Sequence, residues 1–153
     1  MPTTMVLRQD HKLLRKQLDL IETALHMGPD AGPALREMCF LLGQMLRTHM
    51  AREEEMLEPF QQPVYSLTQY WIGRPHAAQY AALLDVNTLL LSDLTVPARA
   101  ARMIERLAQG LRTQMAEEDG DLFPVIDELE LEHLRRRGVD VYGLQHALRA
   151  ACN

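Results

Sequence analysis

The chain has 153 residues, 47% of them hydrophobic and 24% charged, with a formal net charge of −5. That length can bury a substantial core, and the acidic balance argues against nucleic acid or an anionic membrane surface as a partner. Apolar runs such as Leu89-Leu90-Leu91 are too short to span a bilayer, and the start MPTTMVLRQDHK lacks a signal-peptide core, so a cytoplasmic location is expected.

The first predicted helix starts after Thr3 or Thr4, either of which can cap it, and stops at Gly28-Pro29. Its seam reads Leu7, His11, Leu14, Leu18, Ile21 and Leu25, the spacing of a bundle helix with a histidine on the buried side. The second helix opens near residues 30–33 and runs to about Glu58, where Pro59 stops it. Its seam is Leu35, Met38, Leu42, Met45, His49, Glu53 and Met56, so an imidazole and a carboxylate four residues apart share one face. Residues 59–66 read as a connection, with Ser66 placed to cap the next helix. The third helix begins at Pro75 or is kinked at Gly73-Arg74-Pro75, and its seam runs Ile72, His76, Gln79, Leu83, Val86, Leu90. After a turn at residues 92–96, Pro97 opens a fourth helix with the seam Ala100, Met103, Leu107, Gly110, Gln114, Glu118. Gly120 loosens its end and Pro124 closes it. Residues 125–153 are expected to add one or two short helices packed across the others, with Arg135-Arg136-Arg137 as a solvated patch near a helix end.

One stretch occurs twice. LRTHMAREEEMLEP, from Leu46 to Pro59, returns 65 residues later as LRTQMAEEDGDLFP, from Leu111 to Pro124, with eight of fourteen positions identical. The same offset carries His11 onto His76 and Glu53 onto Glu118, but His49 onto Gln114. A repeat of this kind predicts two helical hairpins, each contributing one copy of a polar site.

The resulting fold is all-α: an antiparallel up-down-up-down four-helix bundle with one or two extra C-terminal helices. The whole chain reads as one domain, the bundle covering about residues 4–124 and the extension 125–153. Short loops make the helices antiparallel neighbours. His11 and His49 then fall roughly 10 Å and 14 Å from the same end of the bundle. One layer of the core should therefore hold His11, His49, Glu53, His76, Gln114 and Glu118. A single seam histidine reads as a hydrogen-bonded core residue. Three at one level with two carboxylates are costly to bury without a cation, and their mixed nitrogen and oxygen donors suit transition metals. Glu54, Glu55, Glu58, Glu117 and Asp121 read as solvated, the methionines as core filler, and Cys39 and Cys152 as neither disulfide framework nor metal knuckle.

The order His11, His49-x-x-x-Glu53, His76 and x-x-x-Glu118 resembles the hemerythrin-like, or HHE cation-binding, domain over roughly residues 5–124. That resemblance implies a four-helix bundle with a non-haem di-iron centre bridged by two carboxylates, used for binding O₂, for sensing O₂, NO or redox state, or for iron handling. On this reading His11 and His49 serve one iron, His76 serves the other, and Glu53 and Glu118 bridge. Asp119 matches the acidic position of the oxygen carriers. The chain departs from the family at Gln114, where the family has histidine, and at Tyr80, where oxygen carriers have a second histidine. Tyr80 lies one turn from His76, where its phenolate could reach a second metal; the plainer alternative is a structural tyrosine hydrogen-bonded into the layer. The expected cofactor is iron, two ions or one, with zinc as the alternative. The expected function is binding or sensing of a small diatomic ligand such as O₂ or NO, without strong turnover. A metal-depleted or mononuclear bundle acting as a regulatory or interaction module is the competing reading. No nucleophile triad, phosphate loop or dinucleotide fingerprint is present.

Overall fold

The computed structural model describes residues 2–68, 74–91, 96–138 and 140–151, and among these the chain is all helical, with no strand. Four long helices dominate: α1 (Thr4–His26), α2 (Gly32–Leu57), α4 (Arg74–Leu91) and α5 (Ala98–Glu117). Shorter helices are α3 (Gln61–Thr68), α6 (Phe123–Arg136) and α7 (Val141–Ala151). Gly28 ends α1, with the left-handed φ of 95° that a residue bearing a Cβ adopts reluctantly. A 3₁₀ turn at Pro29–Ala31 leads into α2, which takes Pro33 in its first turn as expected.

The long helices bury the seams that the sequence predicts. α1 packs on α2, α2 on α4, α4 on α5, and α5 back on α1. Arg112 on α5 pairs with Asp19 on α1, while His11, earlier on α1, meets Asp119 just beyond α5. Gln17 donates to the Met38 carbonyl and Arg52 pairs with Asp10; Arg36 donates to the Leu90 carbonyl, while His49 meets His76. Between these helices lies the main core, including Leu14, Leu18, Leu42, Leu46, Leu83 and Leu111. Cys39 belongs to it, its thiol pushed up to about 12 by burial and so chemically quiet.

A second apolar core occupies one end, built from Leu7, Leu57, Val64, Leu122, Phe123 and Ile126. Its source corrects several sequence expectations. Residues 59–66 are not an irregular connection: Pro59 sits in a 3₁₀ turn, Glu58–Phe60, and α3 follows at once with Val64 fully buried and Ser66 inside it. Proline lacks only its own N–H, so at the first turn of a new helix it redirects the chain without ending helical structure. Pro124 behaves the same way. It does not close α5; a π turn, Glu118–Leu122, joins α5 to α6, and Pro124 lies in the first turn of α6.

Thr3 and Thr4 do not cap α1. The Thr3 hydroxyl donates to Glu130 Oε1 at 2.7 Å, and the Thr4 hydroxyl donates to Asp127, so both pin α1 to α6. Arg8 adds an ion pair to Asp127 at 2.9 Å. The arginine patch is exposed at the end of α6, and Glu54, Glu55, Glu58, Glu117 and Asp121 are exposed as expected. Ile72, Gly73, Cys152 and the turn at 92–95 lie outside the described residues, as do the side chains of Pro75, Val141, Leu144 and Leu148. No helix among the described residues is long and apolar enough to cross a membrane.

Candidate metal centre

Between the two cores lies a layer of buried polar side chains: His11, His49, Glu53, His76, Gln114 and Glu118, none more than 6% exposed. Each arises where a polar residue replaces an apolar one on a helix seam. On α1, His11 falls between Leu7 of the second core and Leu14 of the main core. On α2, His49 and Glu53 fall between Leu46 and Leu57 in the same way. His76 enters in the first turn of α4, and Glu118 opens the π turn.

One nitrogen from each of His11, His49 and His76 and one Glu118 oxygen all lie within 4.8 Å of one another, a group that could hold a metal ion. The rings of His11 and His49 are 4.8 Å apart, and those of His49 and His76 are 5.0 Å apart. Glu118 Oε2 is 3.1 Å from His11 Nε2, and Glu118 Oε1 is 3.0 Å from His76 Nε2. Among the described residues His11 Nε2 nevertheless has no partner in hydrogen-bond geometry, nor has either ring nitrogen of His49. Buried donor atoms close to a carboxylate yet not bonded to it are what a cation among them would satisfy. Glu53 Oε2 faces the same space, 3.6 Å from His76 Nε2 and 3.9 Å from His49 Nε2.

The electrostatics divide the imidazoles. Burial disfavours charge on His11, but carboxylates on its two edges, Asp119 and Glu118, outweigh burial and raise its pKa. His76 is raised against burial in the same way, chiefly by Glu118. His49 is pushed down to about 3 by burial and by the neighbouring His11 and His76, so it is neutral. Burial would raise Glu118, yet the imidazoles of His11 and His76 against its two oxygens hold it well below the usual carboxylate range.

Gln114, Asp119 and Tyr80 take different places around this group. A carboxylate only accepts, so it is the Gln114 amide nitrogen that faces Glu118 Oε1, at 2.6 Å. Gln114 thereby orients the carboxylate. Asp119 lies on the Nδ1 edge of His11 at 2.9 Å, opposite the edge that meets Glu118. Tyr80 is half-buried against the main core. Three residues that sequence reasoning did not single out also touch the layer: Asp10 near His49, Gln79 on His76, and Phe123, whose ring stacks on His11 at 5.3 Å. Asp10 is the residue before a seam histidine and Gln79 is the polar break in the helix seam, so two of the three had a signal in the spacing. Compared with protein-family models, with curated proteins and with solved structures, the chain gives no match.

Proposed function

We propose that this chain is a hemerythrin-like non-haem metal protein, an antiparallel up-down-up-down four-helix bundle that holds iron in its polar layer. Its role on this reading is to bind or sense a small diatomic molecule such as O₂ or NO, or a change in redox state, without strong turnover. The observation that carries the metal reading is the convergence of three imidazoles and a carboxylate within 4.8 Å, sealed between two apolar cores. The pairings of residue 11 with 119, 19 with 112, 17 with 38 and 36 with 90 support the antiparallel topology. The order of His11, His49, Glu53, His76 and Glu118 along the chain supports the family.

His11, His49, His76 and Glu118 would hold one ion, their donor atoms lying within 4.8 Å of one another. Glu53 is a fifth donor, and five nitrogen and oxygen donors suit iron better than the closed four-coordinate sites of structural zinc. A second ion is favoured by the position of the carboxylates: Glu118 stands between His11 and His76, and Glu53 between His49 and His76. A second ion would have to share the imidazoles with the first, because Gln114 is turned toward Glu118.

Iron held there would supply redox chemistry and affinity for a diatomic ligand. The protein supplies the rest: neutral His49 offers a lone pair, Gln114 orients Glu118, and Phe123 excludes water from the His11 face. The layer's own pairing of Glu118 with His11 and His76 favours a second reading, a metal-free bundle acting as an interaction module.

Anaerobic loading with Fe(II), then elemental analysis and addition of NO, tests the proposal. One to two irons per chain and a new visible absorption with NO are expected. A folded chain that retains no metal would sink it and leave the second reading.

A further inference from the structure

Each imidazole of the layer has a different polar neighbour at Nδ1, the edge away from the cluster. At His11 the acceptor is Asp119 Oδ1, 2.9 Å away. Arg15 holds the other oxygen, Oδ2, at 2.7 Å, and Arg8 donates to the Asp119 backbone carbonyl at 3.1 Å. At His49 the neighbour is Asp10 Oδ2, 3.5 Å from Nδ1 and outside hydrogen-bond geometry. Arg52 draws Asp10 the other way, pairing with Oδ1 at 2.6 Å beside an open cavity of about 230 Å³. At His76 the acceptor is neutral, Gln79 Oε1 at 3.2 Å.

Two Arg–Asp–His chains thus flank the layer, alike in charge and unlike in closure. A carboxylate can only accept, so Asp119 keeps a proton on His11 Nδ1, and a metal that displaced the proton on Nε2 would find the lone pair there aimed at the cluster. A charged acceptor there also strengthens the imidazole as a donor. We infer that Asp119 is the positioning residue of this metal centre, acting through His11 and anchored by Arg15, and that Asp10 does not play the same part for His49. This role rests on the proposed metal binding by the layer. Asp119 is adjacent to Glu118, and the π turn brings both to one ring: Glu118 to its inner nitrogen, Asp119 to its outer one.

The matched chains provide the control, since Asp119→Asn and Asp10→Asn each remove one carboxylate charge paired to an arginine. In the full chain loaded with Fe(II), Asp119→Asn should weaken affinity about 10- to 100-fold, measured by competition with a chromophoric chelator. It should also raise the Fe(III)/Fe(II) potential, because a weaker donor stabilises the ferric ion less. Asp10→Asn should move both far less. Equal effects of the two variants, or an unchanged potential in Asp119→Asn, overturn the positioning role. Nitrogen-15 NMR of the Zn(II)-loaded unmodified chain decides the matter without any variant. An exchange-protected proton on His11 Nδ1 is expected, and a His11 protonated on Nε2 overturns the inference. If the unmodified chain binds neither ion, the metal reading falls too; if it binds and these signs are absent, only the role of Asp119 falls.

Discussion

His49 and Glu118 are both fully buried in one layer, but they are held there differently. Among the described residues neither ring nitrogen of His49 has a hydrogen-bond partner, whereas Glu118 is paired with His11, His76 and Gln114. His49→Ala is expected to abolish tight metal binding while leaving the metal-free protein folded, because no hydrogen bond is lost. Glu118→Gln removes the carboxylate that compensates two imidazoles, and breaking a buried pair costs roughly 3–5 kcal/mol. Urea unfolding of the two metal-free variants checks the order: Glu118→Gln should lower the midpoint further than His49→Ala. Gln114 is the third informative position. Gln114→His puts a nitrogen donor where the 65-residue repeat has His49, and its iron content should rise toward two per chain. An unchanged content would show that something other than nitrogen donors limits the second ion.

The element that decides the geometry is the π turn, Glu118–Leu122, between α5 and α6. In a regular helix successive side chains point about 100° apart. The one-residue surplus of a π turn, a feature frequent at functional sites, changes that local spacing. Here it accompanies Glu118 and Asp119 on the two edges of His11. Deleting Gly120 should convert the turn toward α geometry, rotate α6 and separate one carboxylate from the ring, seen as lost metal binding and a lower Tm. Gly120→Ala is the contrast. No atom lies within 4 Å of the added Cβ and φ is not left-handed, so it should stabilise by up to about 1 kcal/mol through helix propensity. α6 itself covers the layer through Phe123, which is fully buried and stacked on His11. Phe123→Ala should cost about 3–5 kcal/mol in urea unfolding and open the His11 face to water.

Across the whole molecule the polar layer joins two cores, so its charge state bears on global stability. In the metal-free protein His49 has a folded pKa near 3 against an ordinary 6.5. The unfolded chain then binds the extra proton, and this contribution to stability rises with pH between those values and is lost on acidification. Glu118, held low, acts in the same direction: its stabilisation is present above about 4.5 and lost as pH falls. His11 and His76, held high, act oppositely. Their stabilisation is complete below 6.5 and fades as pH rises through their folded values. The urea midpoint of the metal-free protein should therefore peak near neutral pH and decline on both sides. Iron bound through the imidazoles would replace their protons, so the alkaline decline should vanish in the loaded protein, and a chelator should restore it along with a lower Tm. A Tm indifferent to chelator would favour the interaction-module reading.

The helical character and the identity of the layer were legible in the sequence. Apolar residues at spacings of three and four mark a buried stripe, and His11, His49, Glu53, His76, Gln114 and Glu118 occupy stripe positions where polar groups are costly. Period placed these residues on buried faces, and the expected antiparallel order together with the 65-residue repeat brought them to one level. Pro59 and Pro124 do not stop the chain as the sequence suggested, because a proline in the first turn of a helix loses no hydrogen bond and the neighbouring residues decide whether the chain stops or turns into another helix. Pro59 and Pro124 both turn it, one through a 3₁₀ turn and one through a π turn. The outer partners of the histidines depend on how α1, α2, α5 and α6 face one another, and no one-dimensional spacing encodes that. Sequence determined which residues are buried together; only the tertiary structure decided that Asp119 grips His11 while Asp10 stands off His49, because hydrogen-bond reach is set by a few tenths of an ångström between helices.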